Sequence, residues 1–254
     1  MKRLIFCFDG TWNKLDAPNP TNVVFTAESI TPTVQTAQGG VEQIIHYDEG
    51  VGTSKCERVL GGLAGYGLSK NLLDAYRFLI FNYSIGDEIY VFGFSRGAYS
   101  ARSFVGMVRN CGILQRKYAG KSTDALKLYQ SRKPDDKPDS VQTNRFRQKY
   151  GIKVCVSDIE DEWKTQNVEG YKKGGFERLK IKYLGVWDTV GALGVPTSLA
   201  IAPLINKKYL FHDTRLTGFV ESARHAVAID ENRKSFAPTL WTNFDALNER
   251  VSAP

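Results

Sequence analysis

The chain has 254 residues, 42% of them apolar, which is enough for one large core or two small ones. No apolar run approaches the roughly twenty residues needed to cross a bilayer. A formal charge of +7 raises a nucleic-acid or anionic-membrane reading, but the basic residues of 116–182 are interleaved with Asp135, Asp136, Asp139, Asp158 and Glu160. They form no continuous basic stripe, so nucleic acid is not an expected partner, whereas contact with acidic lipid head groups fits the charge.

In chain order, residues 2–8 predict a strand buried on both faces, because the apolar run Leu4–Phe8 stops abruptly at Asp9-Gly10-Thr11. The start lacks the basic, apolar and small-residue order of a signal peptide, so synthesis in the cytoplasm is expected; export by a secretion system is compatible with this. Residues 13–40, rich in Asn, Pro, Thr and Gln, predict a long loop. Gln43–Tyr47 predicts a short strand closed by Asp48-Glu49-Gly50-Val51-Gly52. Glycines 61, 62, 65 and 67 precede an amphipathic helix marked by Leu68, Leu72, Ala75, Leu79 and Ile80, ending near Asn82–Gly86. Strand Glu88–Phe92 follows and runs into Gly93-Phe94-Ser95-Arg96-Gly97, then into a helix at Ala98–Asn110.

Residues 113–178 have a different texture. Ser131–Ser140 holds two prolines, three basic and three acidic residues, and predicts a surface excursion within a larger helical insertion. Ile181–Trp187 is the next apolar strand, stopped by Asp188-Thr189-Val190-Gly191. Leu216–Ile229 predicts a helix and Phe236–Trp241 a last short strand. Cys7, Cys56, Cys111 and Cys155 show no paired spacing, so neither a disulfide framework nor a zinc site is indicated. Alternating strands and helices predict one α/β domain over 1–254, with a mostly parallel sheet flanked by helices. Working residues are expected at the carboxyl ends of strands, where Asp9, Ser95 and Asp188 lie.

A serine with glycine two residues to either side, between a strand and a helix, has the layout of a nucleophile elbow. The turn is too tight for neighbouring side chains, and the following helix points its N-terminal amides at the serine. A serine hydroxyl needs a base, and the base needs a carboxylate to hold it. Asp188 is the first carboxylate candidate, with a helix N-cap as its alternative role, and Asp230 is the second. An oxyanion hole would take the Arg96 amide and that of Gly10 or Thr11. A different chemistry would have Asp9 and Asp188 hold a divalent metal for phosphate-ester cleavage. The chain has three histidines. His46 lies in an early strand and is out of order, His212 reads as a cap or loop residue, and His225 follows Ser95 and Asp188 in the required order while falling inside the predicted helix. His225 is the best candidate base.

Phe6-Cys7-Phe8-Asp9-Gly10-Thr11-Trp12-Asn13, Tyr66-Gly67-Leu68-Ser69 with Ala75–Leu79, and Gly86–Ile89 running into Gly93–Arg102 resemble an uncharacterised α/β-hydrolase family. That family includes catalytic domains of type VI secretion lipase effectors. Val186–Gly191 and Arg224–Glu231 are similar to its later blocks. The resemblance implies an α/β-hydrolase fold and phospholipase A activity, with Ser95 as nucleophile, Asp188 as acid and no cofactor. Members commonly continue past the block at Thr239-Leu240-Trp241, where this sequence ends at Pro254. Either His225 serves as base or the chain is a shortened form whose uncovered sheet edge favours a homodimer. Three readings follow: a serine hydrolase of carboxylic esters with a lipid or small ester substrate, a non-catalytic hydrolase-fold interaction module, and a metal-dependent phosphoesterase using Asp9 and Asp188.

Overall fold

The computed structural model describes residues 1–10, 13, 15–16, 18–37, 39–50, 64–190, 216–232 and 238–243. Strands β1 (Lys2–Phe8), β2 (Thr33–Thr36), β3 (Gly39–Asp48), β4 (Glu88–Phe94), β7 (Ile181–Trp187) and β8 (Val220–Ala226) form one sheet in the order β2-β3-β1-β4-β7-β8. All neighbours run parallel except β2, which is antiparallel to β3. A small two-stranded sheet pairs β5 (Val154–Cys155) with β6 (Glu177–Arg178).

Side-chain alternation divides the main sheet between two cores. Leu4, Phe6 and Phe8 of β1, Ile89 and Val91 of β4, and Leu184 and Val186 of β7 face helices α2 (Ala64–Asn82) and α3 (Arg96–Cys111). Ile5 and Cys7 point to the opposite face, where Val23 of α1 (Asn22–Ser29) packs with Tyr90, Phe92 and Trp187 nearby. The central strand is therefore covered on both sides, as the continuous apolar run of β1 requires. Burial pushes the Cys7 thiol up to about 12, so it stays protonated and packs as a small hydrophobe.

Helix α3 is buried nearly all round, including its polar residues Ser100, Ser103 and Asn110. Its outer flank is covered by α4 (Ser122–Gln130) and α5 (Val141–Tyr150), with α6 (Asp158–Asn167) beyond. Arg147 of α5 reaches in to the Asn110 carbonyl at 2.6 Å. The same arginine pairs with the fully buried Glu160 of α6 at 3.1 Å, and Glu160 also holds Lys164. These helices occupy the segment expected to be a helical insertion.

Four segments differ from the sequence expectation. The loop expected at 13–40 holds α1 and β2, because the Thr21 side chain caps α1 while Val23 and Val24 are buried against the sheet. Leu216–Ile229 is not a helix. Val220–Ala226 pairs with β7 in parallel register, and this pairing overrides a composition with moderate helix propensity. Helix α2 also begins earlier than expected, taking in Gly65 and Gly67. At the far end, Pro238 bridges Val190 as an isolated antiparallel pair rather than a strand; residues 236 and 237 of the expected strand lie outside the described residues. Among the described residues no helix is long and apolar enough to cross a membrane.

Candidate active site

Strand β4 ends at Phe94 and α3 starts at Arg96, so Ser95 alone makes the turn. Its φ of 55° and ψ of −120° lie outside the regions open to residues with side chains. Packing explains why the turn must be this tight. A Cβ at Gly93 would fall 2.6 Å from the Gly97 carbonyl oxygen, and one at Gly97 would fall 2.2 Å from the Phe8 carbonyl oxygen and 2.4 Å from that of Asp9. The two glycines let α3 seat directly on β4 and on the end of β1. The first amides of α3, beginning with Arg96, lie at the positive end of the helix dipole beside Ser95.

Backbone bonds link this turn to the next two strands. The Ser95 N–H donates to the Trp187 carbonyl at 2.9 Å, and the Asp188 N–H donates to the Ala226 carbonyl at 2.9 Å. Asp188 has a φ of 43°, a second left-handed residue without glycine's freedom. Its Oδ1 accepts the Ala228 N–H at 2.6 Å. His225 stands on β8 in register with Val186 of β7. Its Nε2 accepts the Thr189 N–H at 3.3 Å, which assigns the proton of the neutral ring to Nδ1. The ring meets Trp241 edge-on at 5.3 Å. Burial first, then the Arg102 charge, hold His225 below the ordinary imidazole range, while Asp188 acts in the opposite direction.

On the other side of Ser95, Gly10 presses against Phe94: a Cβ there would sit 2.8 Å from the ring. Its N–H donates to the Asp9 Oδ1 at 2.6 Å. Asp9 is 3% exposed and also accepts the Tyr47 hydroxyl at 2.6 Å and the Thr21 hydroxyl at 2.9 and 3.0 Å. Asp9 thereby anchors the loop after β1 to α1 and β3. Thr11 and His212 lie outside the described residues. His46 packs between Phe6 and Phe78, with ring centroids 5.8 and 5.0 Å away, as part of the core. Asp230 is exposed beyond β8.

Asp48, at the end of β3, was not singled out by the sequence reading. Burial pushes its carboxyl up to about 7, partly offset by the Asn71 amide donating to it at 2.5 Å. The Asp9 N–H donates to its backbone carbonyl at 3.0 Å. The signal that could have found it is shared by Asp9, Asp48 and Asp188: an apolar strand ending at an aspartate. Nothing local to Tyr47 or Thr21 announces that both bind Asp9.

The family model described as T6SS, Phospholipase effector Tle1-like, catalytic domain, matches residues 2–252. The chain belongs to this family. The matched span of this Tle1-like domain includes every strand of the main sheet and the edge from Asp9 to Ala228. The chain is also similar to YEL023C, an uncharacterized protein of Saccharomyces cerevisiae, at 27% identity over 256 residues. That alignment covers 95% of this chain and 33% of the yeast protein, so the chain spans about a third of its relative's length. A crystal structure of an uncharacterized protein from Pseudomonas aeruginosa aligns with 92% of this chain and 37% of its own at 17% identity, with a TM-score of 0.34.

Proposed function

We propose that the chain is a serine hydrolase of lipid carboxylic esters, phospholipase-like, with Ser95 as nucleophile, Asp188 as the orienting acid and His225 as base. One observation carries this: the Ser95 turn, Asp188 and His225 stand on the adjacent strands β4, β7 and β8 at one end of the sheet, stitched by the Ser95–Trp187 and Asp188–Ala226 backbone bonds. Membership of a phospholipase effector family supports the same reaction class.

In this reading Ser95 Oγ attacks the ester carbonyl carbon and its proton passes to His225 Nε2. The carbonyl oxygen takes the negative charge and faces the Arg96 amide, with Gly10 or Thr11 as the second donor. Collapse breaks the ester C–O bond, and the departing alcohol takes the proton from His225. Water then repeats the sequence to release the fatty acid and restore Ser95. Two bonds must yield first: the 3.3 Å Thr189–His225 bond occupies the lone pair that accepts the proton, and Asp9 holds the Gly10 amide. Those same bonds favour the second reading, a non-catalytic module with the fold of a hydrolase.

The metal-dependent phosphoesterase reading is weaker, because Asp9 receives three protein donors and Asp188 receives the Ala228 amide. Hydrolysis of phosphatidylcholine vesicles, read both as fatty-acid release and as release of the phosphate head group, decides among them. The hydrolase reading expects fatty-acid release that His225→Ala and Asp188→Asn each reduce by roughly 10²-fold or more and that chelators leave unchanged. Absence of both fatty-acid and head-group release across lipids and pH favours the non-catalytic module, and head-group release that chelation abolishes and Ser95→Ala leaves intact favours the metal.

A further inference from the structure

A cavity of about 380 Å³ opens along the outer flank of α3, between that helix, the end of α4 and the turn at Pro134–Asp136. Four cations line it, Arg102, Arg109, Arg132 and Lys137, against one carboxylate, Asp136, which the Ser131 hydroxyl already engages. Arg102 and Arg109 lie seven positions apart on α3, two helical turns, with Gly106 between them on the same face. The absence of a side chain at Gly106 keeps the space between the two arginines open; a Cβ there would stand 3.2 Å from the Tyr129 ring and hydroxyl.

The arginines are held rather than loose. Asp139 orients Arg109 at 2.8 Å, using part of a guanidinium that carries five donors. Arg102 is 7% exposed and donates to the Thr239 carbonyl at 2.6 Å, so its charge is fixed in the wall where water screens it poorly. A smaller cavity of about 60 Å³ shares Arg102, Gly106 and Arg109 and continues to Trp241. The Trp241 ring takes the Arg102 guanidinium at 5.3 Å and meets His225 at 5.3 Å. The cationic cavity therefore adjoins the candidate site through a single arginine.

We propose that this cavity is a phosphate-binding site, taking the phosphate of a lipid head group or of a soluble phosphate ester next to the ester-cleaving edge. Cleaving a neutral ester needs no such charge. Forked guanidiniums backed by a lysine match the several acceptor oxygens of a phosphate. The volume falls within the roughly 300–1,000 Å³ typical of small-molecule sites, which leaves room for the group that carries the phosphate. Binding here does not depend on turnover, so the site stands or falls separately from the hydrolase reading.

The full chain carrying Ser95→Ala removes turnover from the test. Inorganic phosphate binding is measured by calorimetry. Sedimentation is measured with vesicles of phosphatidylcholine alone or mixed with phosphatidylglycerol. The double change Arg132→Gln/Lys137→Gln, at two exposed positions, is expected to weaken phosphate binding roughly tenfold or more. Lys127→Gln/Arg145→Gln removes the same charge from a different cavity and is expected to leave it unchanged. If anionic-vesicle binding follows the same pattern, the ligand is a lipid phosphate; if only inorganic phosphate does, it is a soluble one. No effect of Arg132→Gln/Lys137→Gln, or equal weakening by the control pair, overturns the proposal.

Discussion

Ser95 holds a backbone conformation that costs a residue with a side chain on the order of 1–3 kcal/mol, and the surrounding glycine contacts keep it there. Ser95→Gly is therefore expected to raise stability toward denaturant by about 1 kcal/mol while removing hydrolysis. Lower stability would mean that the turn is not strained. At His225 the sign is also fixed: a base works when neutral, so activity rises as pH passes its pKa. Because burial and Arg102 lower that pKa, the acid limb of kcat/KM on a soluble ester is expected below the ordinary histidine value of about 6.5. A limb at or above that value argues against His225 as the base. The placement of Ser95 and Asp188 at strand ends was legible from the sequence because each closes a local strand pattern. The environment of His225 was not: Thr189, Arg102 and Trp241 reach it only through tertiary packing.

Among the elements, α3 is placed by glycine. Gly97→Ala would put a methyl group 2.2 Å from the Phe8 carbonyl oxygen and 2.4 Å from that of Asp9, both backbone atoms with little room to move. The expected cost is about 3 kcal/mol or more, at the upper end of overpacking, with loss of activity as the Ser95 turn lifts from β1; denaturant melts and fatty-acid release check both. Strands β1 and β7 could be read to the residue, since largely apolar runs stopped by aspartate, broken in β7 only by Lys182, admit little else. Strand β8 could not. Val220–Ala226 carries Glu, Ala and Arg at spacings a helix also accepts, and its pairing with β7, close to forty residues away, decides the matter. The same holds for α1, a two-turn helix that depends on Val23 finding the sheet.

Across the whole molecule, the helices over α3 are bolted to it through Arg147, which bonds the Asn110 carbonyl and pairs with Glu160. Glu160→Ala strands the buried charges of Arg147 and Lys164, and is expected to cost roughly 3–5 kcal/mol in a denaturant melt. A cost under 1 kcal/mol would mean that the cluster does not fasten these helices. With those helices in place, α3 is the shared wall of the two proposed sites, Ser95 at its start and the cationic cavity along its flank. The proposed chemistry depends first on Ser95 being a nucleophile. Labelling with a fluorophosphonate, followed by mass spectrometry of the peptides, tests it most directly. A nucleophilic Ser95 gives one adduct, on the peptide bearing Ser95, that Ser95→Ala and Asp188→Asn diminish. Equal labelling of wild type and Ser95→Ala, or an adduct mapped to another residue, would contradict it.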